Sequence, residues 1–307
     1  AMDIFSLGCV IAELFLEADL HAGVFNVVTG KASSIGNVLL TDARVRKISF
    51  TGSTEIGRVL LRGAAEHIKR TSMELGGNAP AILFDDCNLD EAVQSLSVLK
   101  FLNAGQACIG ANRIFVQDEI YDRVADAIVK HAQALKVGDG SREGVRMGPL
   151  VDYKAVEKVE YLVADAVSVG AEIRTGGSRM QGEDYEKGSF YAPTVLTDVP
   201  PSARLCDEEI FGPVAALYRF KTEAEVLEAA NSVPYGLSAY LFTENMDRAV
   251  RMGERLETGM VGINEIRLGA AEAPFGGVKA SGIGREGGRE GLDEYLETKL
   301  LAMRVKP

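Results

Sequence analysis

The sequence predicts an α/β protein organised around a largely parallel β-sheet. Short β-branched runs alternate with helical patterns along the chain, and glycine-rich punctuation separates the later segments. The bulk composition fits: 307 residues, 47% hydrophobic and 25% charged, provide ample core material. At ~100–200 residues per domain the length suggests about two domains.

In chain order, residues 46–50 read as a strand followed by a helix over 54–70. Residues 81–84 read as a strand before a helix over 90–102, and 114–117 as a strand before a helix over 120–135. A helix near 155–169, strands near 214–220 and 237–242, and a helix near 246–256 continue the alternation. Breaks are expected at Gly176-Gly177, Gly212-Pro213 and Gly276-Gly277. Residues 298–305 read as a terminal strand, which would be an exposed edge unless another sheet or subunit pairs with it, so homo-oligomerisation is expected.

Several function classes are disfavoured. The net charge is -11, and no basic run with interleaved aromatics offers a surface to nucleic acid. Apolar stretches fall well short of the ~20 residues that span a bilayer, so no membrane association is expected and the compartment reads as cytoplasmic. Cys9, Cys87, Cys108 and Cys206 lie far apart, the three histidines show no ligand spacing, and G-x-S-x-G is absent. No metal site is expected, and the thiols are expected to be reduced.

Three segments carry chemistry. In ISFTGSTEIG (48–57) a strand turns through Gly52 into a helix that Ser53 can cap, pointing backbone N–H groups at an anion such as a dinucleotide pyrophosphate; the alternative is a plain tight turn. In MELGGNAP (73–80), Glu74 sits among apolar and glycine neighbours. Such a setting raises a carboxyl pKa toward that of a general base; the alternative is a surface carboxylate before a loop. In KFLNAGQACIGANR (100–113) a helix breaks at Gly105 and leaves Cys108 on a turn before a strand. Nearby backbone amides there stabilise a thiolate or an oxyanion; the alternative is a small core residue.

Together these segments resemble the aldehyde dehydrogenase superfamily in order and wording. The resemblance continues in EEIFGPV (208–214), PYGLSAYLFT (234–243), VGIN (261–264) and APFGGVKASGIGRE (273–286), and covers the chain from about Ala22 to the C-terminus. It implies an aldehyde dehydrogenase-like catalytic domain plus part of a Rossmann-like NAD-binding domain, with NAD or NADP as cofactor and a small aldehyde as substrate. Cys108 matches the nucleophile that forms a thiohemiacetal and then a thioester, and Glu74 the base that activates the hydrolytic water. Gly52, Ser53, Leu75, Gly76, Glu209 and Phe211 match cofactor-side positions; for Glu209 the alternative is an ordinary loop ion pair. Leu102, Asn264 and Phe275 match substrate-side positions.

The wording ANRIFVQDEIYDRVADA and GREGGREGLDEYLETK is most similar to the succinate-semialdehyde dehydrogenase branch. Two departures bear on the substrate. Leu102 stands where that branch often has an arginine, and Gly269 where it often has a serine, so an uncharged aldehyde is an alternative to succinate semialdehyde. Gly110 replaces a second cysteine found in some members, which argues against a disulfide switch at Cys108.

Upstream of about Ala18 the resemblance ends. The family pattern implies a longer N-terminal portion carrying adenine contacts and an oxyanion-hole asparagine, so the chain reads as N-terminally truncated, and a mitochondrial matrix location stays open. Residues 2–17, AMDIFSLGCVIAELFLE in context, resemble a protein-kinase helix without any kinase catalytic motif; the alternative is an apolar covering helix. The expected divisions are 1–17, a non-family helix; 18–76, a partial NAD(P)-binding domain; 77–282, the catalytic domain; and 283–307, a C-terminal segment with the oligomerisation strand. The competing functional reading is an inactive fragment that serves only as an oligomerisation or interaction module.

Overall fold

A computed structural model describes residues 4–305; Met2 and Asp3 of the kinase-like stretch and the last two residues of the C-terminal segment lie outside the described residues. The chain divides into two compact units: residues up to Ile48 with Val59–Arg70, and Ser49–Arg58 with Thr71 onward.

The first unit holds α1 (Ile4–Glu17), α2 (Ala32–Thr41) and the later turns of α3 (Thr54–Ala65). A Cβ on Gly63 would meet the Leu40 side chain at 2.7 Å, which sets how closely α2 and α3 pack. Lys69 closes the unit by donating to the carbonyls of Asp42 and Val45 at 2.7 and 2.6 Å. The helix expected over 54–70 stops at Ala65. Ile68 turns the chain in a left-handed conformation, and Arg70 opens a strand. Leu7, Val10, Leu14 and Leu16 of α1 are exposed.

The second unit is built on a seven-stranded sheet. Its strands are β3 (Ala79–Leu83), β4 (Ala111–Gln117), β5 (Glu172–Thr175), β6 (Thr194–Thr197), β7 (Val214–Phe220), β9 (Ser238–Phe242) and β10 (Met260–Ile263), in the order β10-β9-β3-β4-β7-β6-β5. Every pair is parallel except β5 with β6, as the alternating pattern predicts. β3, β6 and β9 are buried along their whole length, the signature of parallel strands covered on both faces. The covering helices include α4 (Leu89–Phe101), α5 (Tyr121–Ala134), α6 (Tyr153–Ser168), α7 (Glu223–Asn231) and α8 (Met246–Arg255). The side chains of Asn88, Asp152, Thr222 and Asn245 each accept from a backbone N–H three residues on, at the starts of α4, α6, α7 and α8, satisfying donors that a helix start leaves open.

A smaller sheet joins the end of β1 (Lys47–Thr51) to β2 (Arg70–Glu74) and β12 (Gly282–Ile283), while β8 (Tyr235–Gly236) pairs with β11 (Val278–Lys279). A short α9 (Gly288–Asp293) follows. Residues 298–305 form no strand, contrary to expectation. Within one chain they meet no free sheet edge, and Leu300, Leu301, Met303 and Val305 are all exposed.

This topology positions the site. β3, β4, β7 and β9 are neighbours running the same way, so the loops that precede them gather at one end of the sheet. Those loops contain Gly77, Cys108, Glu209–Gly212 and Leu237.

Candidate active site

Cys108 lies half-buried on the turn between α4 and β4. α4 ends at Phe101, where a short 3₁₀ turn, Leu102–Gly105, takes Asn103 and Ala104 through left-handed backbone. Asn103 and Gln106 brace the turn by each donating a side-chain amide to the other's carbonyl, at 3.0 and 2.9 Å. Tyr240 on β9 donates its hydroxyl to the Ile109 carbonyl at 2.8 Å and fixes the residue after the thiol.

Two glycines let the gathered loops close on one another. A Cβ on Gly77 would stand 2.8 Å from the Cys108 carbonyl oxygen, and one on Gly105 would collide with the Gly212 carbonyl. Gly105 also has φ 74°, in the left-handed region. Gly105→Ala is therefore expected to lose about 2–4 kcal/mol, combining left-handed strain with overpacking. Denaturant unfolding checks this, and a variant as stable as wild type would be inconsistent with interlocked loops.

Glu209 comes from the loop before β7. Its Oε1 accepts from the Gly77 N–H at 3.1 Å, and its Oε2 would be 2.9 Å from a Cβ on Gly76. Phe211 follows with φ 52° and stays partly exposed. Gly52 donates its N–H to the Glu74 carbonyl at 3.0 Å, and Ser53 Oγ accepts from the Ile56 N–H at 3.4 Å, capping α3 as the sequence predicts. Leu75 buries its side chain against Gly57 and gives its N–H to the Ser281 carbonyl.

Glu74 ends β2 opposite Gly282 of β12 and is buried. Its Oε2 has no hydrogen-bond partner, and its Oε1 would be 2.8 Å from a Cβ on Gly276, so the glycine leaves room beside the carboxylate. Burial pushes the Glu74 carboxyl up to about 7; the Glu286 charge adds to this and Arg285 opposes it. The Cys108 thiol is also raised, by burial first and then by the Glu74 and Glu209 charges, against a smaller opposing contribution from the Ile109 and Cys108 amides. The expected thiolate stabilisation by backbone amides is thus outweighed: three groups that all prefer to be neutral when buried share one site. Deprotonating the thiol therefore needs a base.

The other sequence candidates divide. Phe275 sits next to Gly276 and is bridged to Glu286 by two backbone hydrogen bonds of 2.6 and 2.7 Å, which brings it to the Glu74 end of the site. Leu102, at the C-terminal cap of α4, is exposed and leaves that approach apolar. Asn264 is exposed; its amide accepts from the Thr243 N–H at 3.1 Å and donates to the Thr243 carbonyl at 2.8 Å, which ties the end of β10 to that of β9 and leaves its second N–H open.

Sequence pattern does not single out Ser281, although it stands in VKASGIGRE. Its hydroxyl donates to the Gly76 carbonyl at 2.7 Å and accepts from the Gly236 N–H at 2.9 Å, holding the loop that carries Glu74. Arg113 likewise fixes the turn after Gly77 by donating twice to the Asn78 carbonyl. Among the described residues, no cluster of His, Cys, Asp and Glu could hold a metal ion, and no helix is long and apolar enough to cross a membrane.

The pattern described as "Aldehyde dehydrogenase family" matches residues 5–301. The match takes in most of α1, upstream of the edge near Ala18 at which the motif wording ends. The chain is 50% identical over 293 residues to a succinate-semialdehyde dehydrogenase [NADP(+)] of Escherichia coli (strain K12), covering 95% of this chain and 60% of that protein. It is 48% identical to a glutarate-semialdehyde dehydrogenase of Pseudomonas putida, with 96% and 60% covered. A solved E. coli NADP-dependent enzyme superposes with a TM-score of 0.91 at 51% identity, covering 94% of this chain and 59% of that one. The chain therefore spans about 60% of the length of these curated relatives. A match over nearly the whole chain, joined to a shared fold and to loops that bring Cys108, Glu74 and Glu209 together, places this chain in the aldehyde dehydrogenase family.

Proposed function

We propose that the chain oxidises an aldehyde to a carboxylic acid with NAD or NADP, using Cys108 as nucleophile and Glu74 as general base. The observation that carries this reading is the close approach of the Cys108 turn to Gly77, just after Glu74, and of Gly105 to Gly212, just after Glu209, with the Cys108 thiol raised by burial and then by the charges of both carboxylates. A thiol that needs a base beside a carboxyl titrating near neutrality is the pairing that covalent catalysis with a hydrolytic half-reaction requires.

In the first step Glu74 takes the Cys108 proton, the sulfur bonds to the aldehyde carbon, and the carbonyl oxygen becomes the oxyanion of a thiohemiacetal. The nicotinamide, when bound, supplies the acceptor for the hydride that this carbon must lose to become a thioester. Glu74 gives the thiol proton up to solvent and, ionised again, takes a proton from water; the water oxygen bonds to the acyl carbon, and the C–S bond breaks to return the Cys108 thiolate and release the acid. The same carboxylate serves twice, which the space left by Gly276 and its unpartnered Oε2 permit.

The residues present fit a dinucleotide. Glu209 would accept from ribose hydroxyls, with the Gly76 backbone close enough that a side chain there would press on its carboxylate. Gly52 and Ser53 would face the pyrophosphate at the start of α3. Residues 18–76 would form the cofactor side and 77–282 the catalytic domain.

The names of the relatives place carboxylate-bearing semialdehydes first in a substrate panel, and Leu102 places uncharged aliphatic aldehydes beside them. Leu102→Arg is expected to raise kcat/KM for a carboxylate-bearing aldehyde roughly 10- to 100-fold relative to an uncharged one, by supplying a bidentate cation. Steady-state kinetics with both aldehydes tests this, and an unchanged ratio would remove Leu102 from the substrate path.

The deciding experiment is NAD(P)-dependent oxidation of that panel by wild type and Cys108→Ala, with p-nitrophenyl acetate hydrolysis alongside. Cys108-dependent NAD(P)H formation supports the reading. Folded protein that shows neither reaction defeats it in favour of an inert module.

A further inference from the structure

A buried tyrosine hydroxyl needs a hydrogen-bond partner, whereas a phenylalanine ring fills the same space without that requirement. Among the described residues, the buried Tyr121 spends its hydroxyl on the Leu217 carbonyl and the Asp198 N–H, at the end of the sheet opposite the site, and the buried Tyr191 hydroxyl has no partner. Tyr240 differs in where its hydroxyl lands. It donates at 2.8 Å to the carbonyl of Ile109, the residue after Cys108.

The sheet leaves a slot for that ring. Tyr240 is level with Gly262 of β10 on one side and Ala81 of β3 on the other, so its two neighbours across the strands carry no side chain or a single methyl. A Cβ on Gly262 would come within 3.1 Å of the Tyr240 ring, besides striking the Glu265 carbonyl. The ring sits in this slot without exposure, and burial raises the phenol above its ordinary value, so the hydroxyl keeps its proton and remains a donor.

The acceptor belongs to the turn that presents the thiol. The Gly110 N–H donates to the Ala107 carbonyl at 2.9 Å, which puts Cys108 and Ile109 at the two central positions of a four-residue turn, and the N–H groups of both act on the Cys108 sulfur. We propose that Tyr240 is a positioning residue for Cys108: by holding the Ile109 carbonyl it fixes this turn, and with it the direction in which the sulfur approaches an aldehyde carbon. The proposal rests on the reading of Cys108 as the nucleophile. Tyr240 acts through Ile109 and not on the aldehyde itself, and misplacing a reacting atom lowers the rate of attack more than it lowers affinity.

The test compares the full chain as wild type with Tyr240→Phe, which removes only the hydroxyl, and with Tyr121→Phe, the same loss at a buried tyrosine remote from the site. In Tyr240→Phe, p-nitrophenyl acetate hydrolysis and aldehyde oxidation are expected to fall together, roughly tenfold in kcat, with KM and the dissociation constant for NADH within about twofold of wild type. Tyr121→Phe should lower the melting temperature at least as much, because its hydroxyl serves two backbone groups, and leave kcat unchanged. A loss confined to kcat, and absent from the remote variant, is what a merely structural role would not produce.

The hydrogen bond itself is read by NMR without any activity. Isoleucine labelled at its carbonyl carbon, combined with glycine labelled at its nitrogen, marks the four Ile–Gly pairs of the chain, Ile35–Gly36, Ile56–Gly57, Ile109–Gly110 and Ile283–Gly284, and Ile109→Val identifies the third by removing it. That signal alone should shift in Tyr240→Phe. An unmoved Ile109–Gly110 signal, a wild-type kcat in Tyr240→Phe, or an equal fall of kcat in Tyr121→Phe overturns the Tyr240 role. Folded wild type without either activity, or activity that survives Cys108→Ala, overturns instead the reading of Cys108 as nucleophile, while the Ile109–Gly110 signal still decides whether Tyr240 holds the turn.

Discussion

Under the proposed function, Cys108→Ala is expected to reduce aldehyde oxidation by on the order of 10⁴–10⁶-fold, because the proposed nucleophile and its covalent intermediate would vanish together. The fold should survive. Cys108 is half-buried on a turn, its backbone is held by Tyr240 through Ile109 and by close contact with Gly77, and its sulfur donates no hydrogen bond among the described residues. The expected result is thus a variant with wild-type thermal stability, retained dinucleotide binding, and neither NAD(P)H formation nor ester hydrolysis above background. Ester hydrolysis at the wild-type rate would move the nucleophile elsewhere. The half-buried Cys87 and Cys206 are poor substitutes: the Cys87 thiol is pushed up to about 11 by burial and the Asp86 charge, and Cys206 is engaged with the Tyr218 hydroxyl and the Pro200 carbonyl.

Glu74→Gln is expected to cost about 10²–10⁴-fold in turnover, the range of a lost general base, with a larger effect on thioester hydrolysis than on dinucleotide binding. Its pH dependence is the sharper signature. The carboxyl is raised to about 7, so it is mostly protonated and unable to accept a proton below that value, and mostly anionic above it. Wild-type turnover should therefore rise with pH through about 7, and Glu74→Gln should lose that limb. A pre-steady-state burst of NAD(P)H with slow turnover in the variant would assign Glu74 chiefly to deacylation. A wild-type profile flat through neutrality would be incompatible with Glu74 as the base. Glu286 and Arg285 tune the position of the limb: the first raises the carboxyl and the second lowers it. Arg285 is itself held by the Gly277 and Gly284 carbonyls, so its charge stays close to Glu74 in the folded chain.

The class of fold, the order of most strands and helices, and the three segments that carry the chemistry are all legible in the amino-acid order. They are legible because periodicity is local: alternation of apolar runs separates strand from helix, a glycine marks where a helix must break, and Ser53 announces the start of α3 within three residues. Family wording then assigns roles to Cys108, Glu74 and Glu209 that no local pattern distinguishes from a core thiol or a loop carboxylate.

What depends on distant neighbours emerges only from the folded chain. The start of β2 is hidden from local pattern inside a longer helical run, because its pairing with Gly282 and Ile283 lies far along the chain. Asn264 reads as a substrate-side residue, and only the fold shows that its amide also ties the end of β10 to Thr243. The apolar run over 298–305 reads as a strand by pattern, yet a strand exists only where another edge accepts its hydrogen bonds, and one chain offers none there. The charge states follow the same rule. Glu74 at the end of β2 and Cys108 on the turn before β4 lie on separate segments, and the burial and neighbouring carboxylate charges that raise each of them arise only in the folded chain.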